Sequence, residues 1–387
     1  MATATAPAHA GNKQQAPAAP LPFRAGTQPS DVQDFQPPAV TLSTSTQTLP
    51  PYHPTPNSFI RGVWIQVSAT YPSNAVATIA FQGDGPFNVL NTVSLTDTQQ
   101  RFIVGPINGF DLMCINLFGG YQFMNDPRAS AAFSAPLTST PTGFSFALYI
   151  PLEITSRDGL GSLVNKSTAS QLNVNVTLET NGNVFATPPT NPAVVTVTFS
   201  CDGYLQPAAA DAQGNPLAQN PQAIGTTQFW AKSSYNASAG SNPNIQLTGG
   251  LGFPIRNILF ENYGVATATR ANGETQWPTP LIVDYKGVTL FNRNKVIWQE
   301  KMARAFGLTN ATADGPLSKP SGVYALPFNL DFTNAPGDEL RNGYLQTSSG
   351  SILSLAGTWG LASTLFELVN YVVPANGNPG SIRAGGR

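Results

Sequence analysis

FALYIPLEITSRDGLGSLVNKSTASQLNVNVTLE, residues 146–179, decides how the rest of the chain is read. An apolar run ends at Pro151 and Leu152, a polar turn follows, and a short Gly-Ser-Leu-Val-Asn piece occupies 161–165. Leu172, Val174, Val176 and Leu178 then recur at every second position, with Asn and Thr between them. A period of two places those four side chains on one face of a strand and the polar ones on the other, the pattern of a half-buried antiparallel strand.

The same pattern extends in both directions. Toward the N-terminus lie SFIRGVWIQVSATY (58–71), AVATIAF (75–81), FNVLNTVSLTD (87–97) and FDLMCINLF (110–118), and toward the C-terminus AVVTVTFSC (193–201), all rich in Val, Ile, Phe and Thr. After QPAAADAQGNPLAQNPQAI (206–224), a Pro/Ala/Gln-rich connector, a second series follows: TTQFWAKSSY, NIQLTGGLGF, RNILFENY, PLIVDYKGVTLF, VYALPFNLDF, GSILSLAGTW and STLFELVNYVV. NRNKVIWQEKMARAF (292–306) is the clearest helix, with Trp298, Met302 and Phe306 on one stripe and Glu300 four residues ahead of Arg304. Two sets of seven or eight short strands predict paired antiparallel sandwiches, of which the jelly roll is the common eight-stranded form; the strand pattern alone is equally compatible with an immunoglobulin-like sandwich. The apolar run at 353–373 carries Glu367, Asn370 and two glycines and reads as two strands, not a membrane span.

Composition fits such a protein. Charged residues make up 10% of the 387, Gly 35 and Pro 34 mark frequent reversals, and the formal net charge is -1. Copies of this chain meet little mutual repulsion. Residues 1–50 are Ala, Pro, Gln, Thr and Ser with scattered apolar anchors, and are expected to form an extended arm. The layout predicted is therefore an arm (1–50), a first sandwich (51–205), a linker (206–224), a second sandwich (225–374) and a glycine-rich tail (375–387). No basic and apolar leader opens the chain, so synthesis and retention inside a cell are expected.

Candidates for chemistry are few. The two histidines, His9 and His53, sit in the arm and in a proline-flanked turn, which leaves no Ser-His-Asp or Cys-His arrangement. No metal-ligand spacing occurs, and Cys114 and Cys201 lie in apolar runs as small buried hydrophobes. Asp338 and Glu339 fall in a Pro-Gly turn. Glu153, Glu179, Glu261 and Glu367 are the carboxylates that a glycosidase could bring together in space. GDGPFN and GLGFP lack phosphate-loop order, and Lys13 and Arg24 are the only cations of the arm, too few to neutralise a genome. Neither a cofactor, a metal, nucleic acid nor a small-molecule substrate is expected. The N-x-S/T triplets at Asn165, Asn175, Asn236 and Asn310 occur at the frequency that so Asn/Ser/Thr-rich a chain produces by chance.

GPFNVLNTVSLTD, followed by ING and LMCINLF, resembles the early strands of the major capsid proteins of tectiviruses, membrane-containing icosahedral bacteriophages. The 146–179 stretch resembles the same family, and ILSLAGTWGLASTLFELVNYVV is similar to the last strands of its second barrel. The resemblance spans most of 58–373. It implies an all-β double jelly roll with a few short helices, homotrimers of pseudo-hexagonal outline, and a virion shell over an internal lipid membrane, synthesised and assembled in the host cytoplasm. Partners implied are other copies, vertex (penton) and minor capsid proteins, and the viral membrane through an inner-face arm carrying Lys13, Phe23, Arg24 and Phe35. Pro7, Pro17, Pro20 and Pro22 leave that arm room for only a turn or two of the helix the family places there. Segments 119–142 and 307–322 are candidate outward loops. The same architecture and the five tryptophans also fit a carbohydrate-binding or receptor-binding module of a phage, which would bind glycan through one exposed Trp.

Overall fold

The computed structural model describes residues 19–374, apart from 57–58, 73–77, 121–125, 138–141, 157, 169–170, 207–209, 222–223, 266–268 and 329–343. Lys13, His9, the Asp338–Glu339 pair and the 375–387 tail lie outside the described residues.

The first half contains β1 (Gln28–Phe35), β2 (Val40–Thr41), β3 (Gln47–Thr48), β4 (Phe59–Thr70), β5 (Ala80–Phe81), β6 (Leu90–Thr96), β7 (Phe102–Ile107), α1 (Gly109–Phe118), β8 (Gly143–Pro151), β9 (Leu163–Val164), β10 (Asn173–Leu178), α2 (Asn181–Val184), β11 (Phe185–Thr187) and β12 (Val194–Leu205). The second contains β13 (Thr227–Ala237), β14 (Gly240–Leu247), β15 (Ile255–Gly264), α3 (Arg270–Gln276), β16 (Leu281–Tyr285), β17 (Val288–Arg293), α4 (Lys295–Phe306), β18 (Val323–Pro327), β19 (Leu353–Trp359) and β20 (Ser363–Val373).

Strand order reveals a duplication. One sheet of the first half runs β1-β12-β4-β8, and the facing strands run β7-β6-β10-β3. The second half repeats this as β13-β20-β15-β18 facing β14-β19-β16-β17. Counting eight principal strands in each half, both place the first, eighth, third and sixth in one layer and the second, seventh, fourth and fifth in the other, which is the jelly-roll order. Each half also inserts a helix, α1 or α4, between its fifth and sixth strands.

The halves are not separate bodies. β7 and β13 meet in a parallel bridge at Val104 and Trp230, so one eight-stranded sheet, β18-β15-β20-β13-β7-β6-β10-β3, crosses the molecule. That junction covers two strand edges that would otherwise offer unpaired N–H and C=O groups to other chains. A single apolar cluster runs through both halves, from Leu42 to Val369.

Two sequence readings need correction. The run 110–118, expected to be a strand, is α1. Its apolar residues do not alternate; all ten positions of the helix are buried, as in a helix surrounded by protein. Its start is set by a reciprocal capping box: the Asp111 N–H donates to Asn108 Oδ1 at 2.7 Å and the Asn108 N–H to Asp111 Oδ2 at 2.8 Å. Secondly, residues 28–48, grouped with the arm by composition, supply the first two strands of the first sandwich: β1 pairs with β12 from Gln28–Leu205 to Phe35–Phe199, and β3 with β10. The sandwich thus begins ahead of residue 51. As an edge strand with few buried positions, β1 carries no alternating apolar face to betray it.

α4 has the stripe and the C-terminal end the sequence predicts, but it starts at Lys295, because Asn292 and Arg293 belong to β17. Trp298, Met302 and Phe306 are buried, and Gly307, in the left-handed region at φ 63°, ends the helix. The 353–373 run forms β19 and β20. No helix among the described residues is long and apolar enough to cross a membrane.

Candidate functional site

The groups that could do chemistry are tied into the scaffold. His53 Nδ1 lies 3.4 Å from the Leu172 carbonyl, and among the described residues no three His, Cys, Asp or Glu side chains converge as metal ligands would. Glu153 accepts from Arg61 Nε at 2.8 Å and from the Tyr204 hydroxyl at 2.6 Å; Asp202 takes Arg61 Nη1 at 3.4 Å and the Tyr149 hydroxyl at 3.1 Å. Burial raises both carboxyls, and Arg61 partly offsets it. Glu179 holds the start of α2, accepting from the Thr180 N–H and Asn183 Nδ2. Glu367 sits within the second sandwich with the Tyr235 hydroxyl at 2.7 Å, and burial pushes its carboxyl up to about 7. Glu261 lies at the junction described next. The four candidate glycosidase carboxylates thus have separate surroundings, and none shares a cavity lining with another among the described cavities.

The polar contacts that matter gather where the sandwiches meet, around α1 and the 310 turn Pro127–Ala129. Lys232 of β13 reaches both carboxylate oxygens of Asp111 at 2.6 and 2.8 Å and stands 4.0 Å from Glu261 of β15. Arg256 Nη1 donates to the Gly119 carbonyl at 2.7 Å, and Asn257 Nδ2 to that of Phe118 at 2.8 Å, so two side chains of β15 finish the C-terminal end of α1. Arg270 of α3 donates to Asp84 at 2.6 Å and to the Gly83 carbonyl at 2.7 Å, with its guanidinium 4.0 Å over the Phe110 ring. Segments 119–142 and 307–322, which follow the two inserted helices, meet each other: Arg128 Nη2 donates to the Ser318 carbonyl and the Leu317 N–H to Asp126, both at 2.6 Å.

Arg61, Arg128, Arg256 and Arg270 are each at most 7% exposed, so four of the chain's cations are spent internally and cannot meet phosphate. Sequence reasoning gave no warning of this junction, because its members are scattered from Asp84 to Ser318 and no local spacing links them. The capping signal Asn108-x-x-Asp111 was the one local clue.

Of the arm residues, Phe23 is buried edge-on between Phe59 and Tyr204, with ring centroids 5.2 Å from each. Arg24 is exposed, its guanidinium 4.5 Å over the Tyr204 ring. Phe35 stacks on Tyr52 and Phe199. Of the tryptophans, Trp230, Trp277, Trp298 and Trp359 are at most 3% exposed. Only Trp64 is half-buried; it packs on Tyr149 and lines a cavity of about 720 Å3 with Asn116, Ala147 and Phe306. A glycan site would have that one tryptophan to use.

No protein-family model matches the sequence, and no curated protein does. Solved structures do match in fold. The chain is similar to a structure from Sulfolobus Turreted Icosahedral Virus (TM-score 0.59, 13% identity, 92% of this chain and 95% of that chain). It is also similar to the major capsid protein P2 of bacteriophage PM2 (TM-score 0.52, 8% identity, 89% and 97%) and to the PBCV-1 virus capsid protein (TM-score 0.54, 11% identity, 89% and 93%). Near-complete coverage in both directions, together with the repeated strand order, makes this chain a double jelly roll of the kind those capsid proteins have.

Proposed function

We propose that this chain is the major coat protein of an icosahedral virus, assembling as homotrimers that tile a shell. The observation that carries the reading is the repeated eight-strand order with a helix inserted at the same point of each barrel, the barrels being fused through one sheet. Two equivalent barrels per chain give a trimer six barrels, a near-hexagonal tile able to sit among six neighbours. Low charge content and a net charge of -1 leave little repulsion to oppose close packing.

An internal membrane, as in the tectivirus family, is the finer part of this proposal. Phe23 and Phe35 are taken up by the first sandwich, so contact with lipid falls to Arg24 and to the chain ahead of residue 19, Lys13 included. The loops 126–137 and 307–322, anchored to each other, are proposed as the outer face. Vertex and minor coat proteins are the other expected partners, and the host cytoplasm the place of assembly.

The test is light scattering on purified protein, followed by electron microscopy of lysates from cells expressing it. A trimer of about 122 kDa, three times 40.8 kDa, that survives dilution is expected, together with particles of many copies. A monomer that forms no larger particle overturns the reading.

A further inference from the structure

Asp111, Lys232 and Glu261 form a cluster at the junction in which the part-buried Lys232 amine stands against a fully buried carboxyl with a second buried carboxyl beside it. The Lys232 ammonium stands against the Asp111 carboxylate, with Nζ 2.6 Å from Oδ1 and 2.8 Å from Oδ2. Asp111 and Glu261 are 0% exposed. The Phe366 ring lies 4.4 Å from Nζ and closes the site on another side. Asp111 Oδ2 also accepts the Asn108 N–H at 2.8 Å, so one carboxylate oxygen is held by a backbone donor and the other is not. Neither oxygen of Glu261 receives a hydrogen bond from an N–H or O–H donor among the described residues, and the carboxyl beside it is that of Asp111. Burial first, and then the Asp111 charge, raise the Glu261 carboxyl well above the usual range, with Lys232 at 4.0 Å offsetting part of this, so the protonated form is favoured. Glu261 is therefore a proton donor placed against the carboxyl that Lys232 faces.

The geometry points to an intramolecular isopeptide bond between Lys232 Nζ and Asp111 Cγ, formed by the chain itself with Glu261 as the proton shuttle. The ammonium first gives a proton to Asp111, leaving a neutral amine and a neutral acid. A desolvated site favours that pair over what water would allow, although Asp111 holds the resting ammonium charged and makes this step the slow one. The amine lone pair then attacks Cγ. Charge builds on Oδ2, where the Asn108 N–H receives it. Glu261 delivers its proton to Oδ1 and takes back the proton that the new C–N bond displaces from nitrogen. The Cγ–Oδ1 bond breaks and water leaves. The balance is one ammonium and one carboxylate giving one amide and one water, with Glu261 returned unchanged and no oxidant or other reactant required. Lys232 lines a cavity of about 380 Å3 that offers the water a way out.

The bond would join α1 of the first sandwich to β13 of the second, closing a long loop of chain across the junction. Such a covalent brace removes conformations from the unfolded chain, as a disulfide does, without needing an oxidising compartment.

Intact mass spectrometry of the denatured full-length protein is the experiment, with fragment sequencing of a protease digest. A mass lower than the sequence mass by one water, a branched peptide containing Asp111 and Lys232, and the full mass in both Glu261→Gln and Lys232→Arg are expected. The full mass in the unaltered protein overturns the proposal, since the triad is then an ordinary ion pair. Loss of water located at any other residue overturns it equally. A branched peptide that forms as readily in Glu261→Gln overturns the role given to Glu261. Folding of each variant is checked by circular dichroism, and the mass of the unaltered protein decides the matter whether or not they fold.

Discussion

Two glutamates give the stability of this protein opposite slopes against pH. Glu274 accepts from Lys319 Nζ, the Tyr324 hydroxyl and the Gly322 N–H, each at 2.7 Å; burial works to raise its carboxyl, but these donors, Lys319 foremost, hold it down at about 2. Its contribution is present above the unfolded value near 4.5 and is lost as pH falls through 2. Glu367 is pushed the other way, to about 7, so its contribution is full below 4.5 and is lost as pH rises through 7. Each displacement of some 2.5 pH units corresponds to about 3 kcal/mol. Denaturant midpoints measured from pH 3 to 9 should therefore peak between the two windows. Glu367→Gln should match the parent at pH 4 and exceed it by about 3 kcal/mol at pH 8, since an amide oxygen still accepts from Tyr235. An unchanged slope above pH 5 would show that Glu367 titrates elsewhere. Arg61 belongs to the same class of buried charge: replacing it with Met leaves Glu153 and Asp202 buried without their cation, and a loss of about 3–5 kcal/mol at pH 7 is expected by the same denaturation measurement.

At the scale of the element, what a sequence discloses depends on whether a segment has two unlike faces. α4 does, and its stripe of Trp298, Met302 and Phe306 was readable at helical spacing. Trp298 is 0% exposed, donates Nε1–H to the Ala325 carbonyl at 2.8 Å, and meets Trp277 and Tyr324 edge-on. Trp298→Ala should cost about 3–5 kcal/mol in denaturation, while Trp298→Phe keeps most of the packing and loses the hydrogen bond. Equal losses for the two would mean that the hydrogen bond, not the ring, holds α4. The strands β4, β10 and β12 alternate and were readable for the same reason. α1 has no polar face, so periodicity could not separate helix from strand, and only the capping box marked it. β1 fails in the opposite way: paired on one side and mostly exposed, it has too little apolar face to show a period. The junction carboxylates were visible as residues but not as a site, because pairing Asp111 with Lys232 requires knowing which strand edges meet.

For the whole molecule, tandem repeats in sequence suggested two domains each with its own core, and the strand order keeps the repeat while removing the independence. The shared sheet puts Trp230 of the second half against Val104 of the first. α1, though first-half by chain order, relies on Arg256 and Asn257 of β15 to satisfy its last carbonyls, and Gln228 Nε2 donates to the Leu152 carbonyl across the same boundary at 2.9 Å. Separating the halves at 206–224 would take these cross-boundary partners away from buried groups, at about 1–3 kcal/mol for each, and would expose two sheet edges. Such losses approach the whole stability of an ordinary domain, about 5–15 kcal/mol. Neither half expressed alone should therefore unfold cooperatively, and the two expressed together should restore one transition whose midpoint rises with concentration and stays below that of the intact chain, since the connector supplies effective concentration. A single half with a sharp calorimetric transition would show that the barrels are autonomous and merely adjacent. A tile built from fused barrels transmits load between its two halves through a continuous sheet instead of a hinge. In the coat role proposed above, that continuity would let each copy resist bending between its barrels.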